Sequence, residues 1–140
     1  MNILRALPPA RSAKQKEDCA KTLRILVVED NKPAADILGM LLEYQGHEVA
    51  IAYDGLQALQ MVHIRMPDLI FMDLSLPEMN GLTAAREIRK LSTSDGVVIV
   101  ALSGHDDVDA LNSCFDSGFD AHIAKPADPV DVQRLLERLC

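Results

Sequence analysis

From Leu23 onward one rhythm repeats five times: a short apolar run, a polar punctuation, then ten or more residues whose apolar positions recur with helical spacing. The runs are Ile25 to Val28, Val49 to Tyr53, Leu69 to Met72, Val97 to Leu102 and Ala121 to Ala124. Most lack apolar-polar alternation, which is the pattern of strands buried on both faces. Between them Ile37, Leu38, Leu41 and Leu42 form one helical stripe, and Val132, Leu135, Leu136 and Leu139 form another. Segments near Leu56 to His63, Leu82 to Leu91 and Val108 to Phe115 complete five helices, with Asp54, Asp106 and Asp128 as N-caps or first-turn acids and Gly46 and Gly118 as helix stops. Strands alternating with helices in this way predict an α/β fold: a parallel sheet with helices on both faces, joined by right-handed crossovers. In such sheets ligands sit at the carboxyl ends of the strands.

With 140 residues the chain has room for one domain with a core, and its 49% hydrophobic and 25% charged content is globular. No apolar run approaches the roughly 18 residues of a membrane span, and MNILRALPPA carries too little charge and too short an apolar stretch for a secretory signal. A cytoplasmic location without membrane attachment is expected. Cys19, Cys114 and Cys140 have no paired spacing, so neither a disulfide framework nor a zinc site is suggested, and Cys140 is expected to cap the core. Residues 1 to 22 mix Pro8-Pro9, Ser, Gln and Lys without periodicity and read as a flexible N-terminal extension, leaving 23 to 140 as the folded domain. Residues 1 to 24 hold six Lys or Arg against two acids, the rest eight against nineteen. So acidic a body repels phosphate backbones, and direct nucleic-acid binding is not expected.

Glu29 and Asp30 stand at the end of the first strand and Asp73 at the end of the third, so three carboxylates converge on one edge. Like charges that close raise each other's pKa or demand a cation, and hard carboxylate oxygens favour Mg²⁺. The fourth strand ends in Ser103-Gly104 and the fifth in Lys125-Pro126, which bring a hydroxyl and an ammonium to the same edge; a cis bond before Pro126 could turn the lysine inward. An acidic cluster facing one lysine and one hydroxyl has the parts needed to accept a phosphoryl group: a carboxylate nucleophile, a metal, and donors for the transferred oxygens. Met40, Met61 and Met72 fit core positions, and His47 and His63 stand alone, without a partner at metal spacing.

The acid pair Glu29-Asp30, the stretch from Asp73 through Pro77, Met79 and Asn80 to Gly81, and the Ser103-Gly104 and Lys125-Pro126 steps together resemble the receiver domains of two-component response regulators, over residues 23 to 140. The resemblance implies a flavodoxin-like (βα)5 three-layer sandwich with sheet order 2-1-3-4-5. It implies that Asp73 is the phosphoacceptor; that Asp30, Asp73 and the backbone carbonyl of Ser75 ligate Mg²⁺, with Glu29 acting chiefly through a water; that Lys125 pairs with the phosphoryl group; and that Ser103 moves to hydrogen-bond it. Ser75 and His105 fall where the family tunes dephosphorylation. The implied donor is a phosphohistidine on a histidine kinase or histidine phosphotransfer protein, and the chain would assist its own phosphotransfer and dephosphorylation without being an enzyme in the wider sense. One departure stands out: three residues before Lys125, where the family generally has Tyr or Phe that swings inward, this chain has His122, either a switch ring or a solvated histidine.

Three rival chemistries compete with this reading. A haloacid-dehalogenase-type phosphatase needs a second acid two residues past its nucleophile, where this chain has Ser75; a flavin carrier needs a Ser/Thr/Gly phosphate loop where Glu29-Asp30-Asn31-Lys32-Pro33 would repel the phosphate. A receiver-like interaction module that is never phosphorylated stays open. Output is expected through contact with a downstream protein, on the face of the fourth helix, fifth strand and fifth helix, with homodimers possible. A free-standing regulator, which Met1 weakly favours, a receiver piece of a hybrid histidine kinase and a phosphorelay shuttle all remain.

Overall fold

The β-branched and apolar runs become strands and the capped periodic segments become helices. The computed structural model describes residues 3–4, 22–91, 96–104, 112 and 114–139. In chain order the elements are β1 (Ile3–Leu4), β2 (Arg24–Val28), α1 (Lys32–Tyr44), β3 (Glu48–Ala52), α2 (Gly55–Ile64), β4 (Leu69–Asp73), α3 (Gly81–Arg89), β5 (Val98–Ser103), a 3₁₀ turn (Phe115–Ser117), β6 (Ala121–Ala124) and α4 (Pro129–Leu139). The sheet runs β1-β6-β5-β4-β2-β3. Its five long strands are parallel, and numbered among themselves they have the expected order 2-1-3-4-5.

The sixth strand lies outside the five-strand pattern of the sequence. Ile3 and Leu4 pair antiparallel with His122 and Ala121 on the outer edge of β6, so two residues of the segment set aside as an extension join the sheet; an apolar dipeptide among Pro, Ser and Lys carries too little periodicity to reveal this. The helix expected near Val108 to Phe115 falls mostly outside the described residues, as do the expected cap Asp106 and the residues His105, Cys19 and Cys140.

Period-two geometry explains why the strands read as continuous apolar runs. Ile25, Val27, Leu69, Phe71, Val100, Leu102 and Ile123 pack against α1 and α4, through Ala35, Leu38, Leu42, Val132, Leu135 and Leu136. Leu26, Val28, Ile70, Met72, Ile99 and Ala101 pack on the opposite face against α2 and α3, through Ala58, Val62, Ala84, Ala85 and Ile88. Two sequence expectations are corrected. Ile37 and Met40, assigned to the buried stripe and the core, are 69% and 68% exposed; the inward face of α1 is narrower, built from Ala35, Leu38, Gly39 and Leu42. His47, which has no partner at metal spacing, is held by the backbone: its Nδ1 accepts a hydrogen bond from the Leu23 N–H at 3.1 Å.

The helix ends follow local chemistry. Asp54 caps α2 by accepting from Gln57 N–H, and Asp128 accepts from Val130 N–H at the start of α4. Asn31 and Asn80 cap α1 and α3 in the same way. Gly46, just past α1, takes φ +95°, and Gly118 takes +105°, conformations that a side chain strains. Arg89 at the end of α3 ties the far side of the sheet together: its guanidinium donates to the carbonyls of Gly118 and Val97 and pairs with Asp120 at 2.6 Å.

Candidate functional site

Three strand ends deliver the site. Glu29 follows β2 and still pairs with the sheet through its N–H to Ala52 O. Asp73 closes β4, and Lys125 follows β6, joined by a cis peptide bond to Pro126. The carboxylates of Glu29 and Asp73 are 4% and 1% exposed, whereas Asp30 faces solvent. One carboxylate oxygen from each of Glu29, Asp30 and Asp73 lies within 4.8 Å of the others. Lys125 Nζ reaches into this cluster, 2.7 Å from Asp73 Oδ2 and 3.2 Å from Glu29 Oε1. Asp73 also accepts from the Ser75 N–H at 2.9 Å, and Glu29 from the Asn31 N–H.

The loop after β4 is closed by tight backbone contact. Gly81 N–H donates to Leu74 O, and a Cβ on Gly81 would overlap the Asp73 carbonyl oxygen. Any side chain there would push α3 off the acid it supports. Gly81 lies inside the motif that carried the family resemblance; an Asn-Gly step opening a helix was the available signal for its packing role.

Two buried carboxylates cannot both ionise freely. Burial, with Asp73 beside it, raises Glu29 from an ordinary value of 4.5 to about 7. Burial would also raise Asp73, but hydrogen bonds from Glu29, Lys125 and the Ser75 N–H outweigh it and hold Asp73 below its ordinary value. For Lys125 burial works against the charged form, and the two acids more than compensate, so its pKa is raised. The result is an ionised Asp73, a Glu29 near its titration point at neutral pH, and a fixed cation. The donors are all hard oxygens, with no nitrogen or sulfur among them, and their proximity leaves negative charge to neutralise, so the cluster fits a divalent ion of the magnesium or calcium kind.

Ser103 closes β5, and its carbonyl accepts the Lys125 N–H at 2.7 Å. His122 pairs with Ala101 across β5 and β6; since residues 101 and 103 share a face, His122 is a diagonal neighbour of Ser103. The ring turns inward, and Ser103 Oγ lies 2.5 Å from His122 Nε2. A solvated ring is therefore not what this chain has. Burial pushes the imidazole below its ordinary value of 6.5.

Beside the acids a groove of about 630 Å³ runs between α1 and the start of α4, lined by Ile37, Leu38, Leu41, Ala127 and Pro129 and reaching Glu29 and Lys125. Ile37, Met40 and Tyr44 extend it as an exposed apolar row on α1. Among the described residues no helix is long and apolar enough to cross a membrane.

A family model described as response regulator receiver domain matches residues 25–138. The chain is 30% identical over 116 residues to an uncharacterized 14.6 kDa protein of Leptolyngbya boryana, covering 83% of this chain and 88% of that one. It is 39% identical over 117 residues to the DNA-binding response regulator MtrA of Mycolicibacterium paratuberculosis, covering 83% of this chain but 51% of the relative. The chain thus spans about half the length of the mycobacterial regulators it matches. Among solved structures it superposes on the receiver domain of the sensor histidine kinase PA1611 from Pseudomonas aeruginosa, which has a magnesium ion coordinated in its active site cleft, with TM-score 0.78 and 32% identity over 85% of this chain and 98% of that one. A putative response regulator from Chloroflexus aurantiacus gives TM-score 0.78 and 30% identity with the same coverage.

Proposed function

Because the chain belongs to the response regulator receiver domain family, we propose that it is a phosphorylation-dependent switch of a two-component phosphorelay, with Asp73 accepting a phosphoryl group from phosphohistidine. The observation that carries this reading is the Lys125 ammonium 2.7 Å from Asp73 Oδ2 within a three-carboxylate cluster. An ionised, buried Asp73 is a nucleophile; its oxygen forms a bond to phosphorus as the P–N bond to the donor imidazole breaks. Lys125, already beside Asp73, pairs with the transferred oxygens, and Ser103 supplies a hydroxyl donor. Glu29, Asp30, Asp73 and the Ser75 carbonyl would hold Mg²⁺, which when bound neutralises charge in the transfer. For that, Glu29 must give up the proton that its raised pKa retains.

The donor is a protein in this reading: a histidine kinase or histidine phosphotransfer protein laying an amphipathic helix along the exposed Ile37, Met40 and Tyr44 row, which leads to the acids. Output passes by contact with a further protein, in the cytoplasm. The likeness to a sensor kinase's receiver also supports a role as the receiver piece of a hybrid kinase. The test is intact mass after incubation with acetyl phosphate, with Mg²⁺ or with chelator, beside Asp73→Asn. A gain of one phosphoryl group that needs both the metal and Asp73 supports the switch. No adduct, even from a phosphorylated kinase at short times, leaves a receiver fold used only for binding.

A further inference from the structure

Ser103 and His122 are buried together, at 3% and 4% exposure. Among the described residues the ring is the one hydrogen-bond partner of Ser103 Oγ, and the imidazole Nδ1 is sealed from solvent with no partner. The ring is neutral at pH 7, since burial lowers its pKa, so it carries one proton to place on two nitrogens.

Two placements are open to it. If Ser103 O–H donates to Nε2, the ring proton sits on Nδ1 and one buried donor goes unpaired. If Nε2–H donates to Oγ instead, the serine's own hydrogen has no acceptor and the Nδ1 lone pair no donor, leaving two unpaired groups. Each buried orphan carries an uncompensated desolvation cost, so the first arrangement, with one orphan against two, is favoured at rest. Ser103, however, has a single hydroxyl hydrogen. Its backbone is bonded to Lys125, and its strand neighbour Leu102 pairs with Asp73, so on the reading above the hydroxyl is offered to the phosphoryl oxygens. Once that happens, an unprotonated Nε2 faces an oxygen with no hydrogen to give, and two lone pairs oppose each other.

We infer that His122 is a positioning residue for Ser103 and that its ring changes tautomer when Asp73 is phosphorylated: Nε2 accepts from Ser103 at rest and donates to it in the phosphorylated protein. The inference rests on Asp73 being the phosphoacceptor. One proton leaves Nδ1 and one arrives on Nε2, exchanged with water when the pair transiently opens to solvent, so the ring stays neutral. The phosphorylated protein then holds a chain of donors, Nε2–H to Oγ and O–H to the phosphoryl oxygen. At rest the same ring competes with the phosphoryl group for the serine hydrogen, which sets Ser103 back until Asp73 is modified. A Tyr or Phe at this position could not act so, having no ring nitrogen.

The test uses the full chain labelled with ¹⁵N-histidine, with Mg²⁺, before and after acetyl phosphate, and intact mass run in parallel. Long-range ring correlations read the protonation of each nitrogen, and the resonances missing from His122→Gln identify this ring. The expected result is an Nε2 resonance in the unprotonated range at rest that moves to the protonated range in the phosphorylated chain, with Nδ1 moving the opposite way. A protonated Nε2 at rest, or an unchanged tautomer in a chain whose mass has gained the phosphoryl group, overturns the inference and leaves the switch reading standing. A chain that gains no mass from acetyl phosphate or a phosphorylated kinase overturns both.

Discussion

Replacing Glu29 by Gln in the metal-free protein should remove a pH dependence of stability that wild type carries. In the unfolded chain Glu29 loses its proton near 4.5, and in the folded chain near 7. Between those values the folded protein holds a proton that the unfolded chain has released, so stability falls as pH rises through the window. At roughly 1.4 kcal/mol per tenfold change in acidity, a rise from 4.5 to about 7 comes to about 3 kcal/mol of stability lost by pH 8.5. Glutamine mimics the protonated acid: its Oε1 can still accept from Lys125, and its amide can donate to Asp73 as the carboxyl proton does.

The assay is urea denaturation in chelator at pH 5 and pH 8.5. Wild type and Glu29→Gln should have similar stability at pH 5, and the variant should be more stable by about 3 kcal/mol at pH 8.5. His47 and His122, both lowered by burial, titrate in both proteins and cancel in the difference. Mg²⁺ at 100 times Kd should close most of that gap at pH 8.5, because such binding stabilises wild type by about 2.7 kcal/mol and the variant has lost a ligand. Parallel loss of stability in the two proteins between pH 5 and 8.5 would refute the reasoning, for it would mean that Glu29 is ionised throughout and that Lys125 alone offsets the cluster.

Lys125→Met leaves the buried acids without their cation, so the metal-free variant should lose about 1–3 kcal/mol at pH 8.5 and much less at pH 5, where Glu29 is protonated; the same urea series reads both. Arg89→Ala removes three hydrogen bonds, one of them the ion pair to Asp120, and thermal or urea unfolding should report a loss of about 2–3 kcal/mol with Mg²⁺ binding by the folded protein unchanged. Ile37→Asp on the exposed face of α1 should slow phosphotransfer from a protein donor by about tenfold or more while leaving phosphorylation by acetyl phosphate and stability as they were, which time courses with the two donors would separate.

The parallel sheet was legible because its strands are buried on both faces: Leu69-Ile70-Phe71-Met72 admits no polar residue, and a run so placed between helical stripes has few other homes. The stripes were harder to read. Ile37, Leu38, Leu41 and Leu42 satisfy the spacing of a buried face, yet Ile37 is exposed. Periodicity locates a helix but sums over everything apolar on it, whether it meets the sheet or waits for a partner. Met40 fits a core position by spacing and is exposed for the same reason. The Ile3–Leu4 strand shows the opposite limit, since two residues contain no period at all and only the open edge of β6 gives them a place.

At the site, what was legible follows from strand order. Glu29, Asp73 and Lys125 each stand at the carboxyl end of a strand, and parallel order brings those ends to one rim, so their convergence required only topology. The Ser103–His122 contact required one thing more, the register of β5 against β6. Pairing His122 with Ala101 puts it on the face of Ser103; a slip of one residue would have put it on the other face and sent the ring toward α4. Sequence alone therefore left an inward ring and a solvated one equally open. The register decides between them, and with the ring inside, a histidine where the resemblance implies a Tyr or Phe ceases to be a conservative exchange of one ring for another. It introduces two nitrogens and one proton into a buried space with a single hydroxyl, and the proton must answer to whatever that hydroxyl is bonded to.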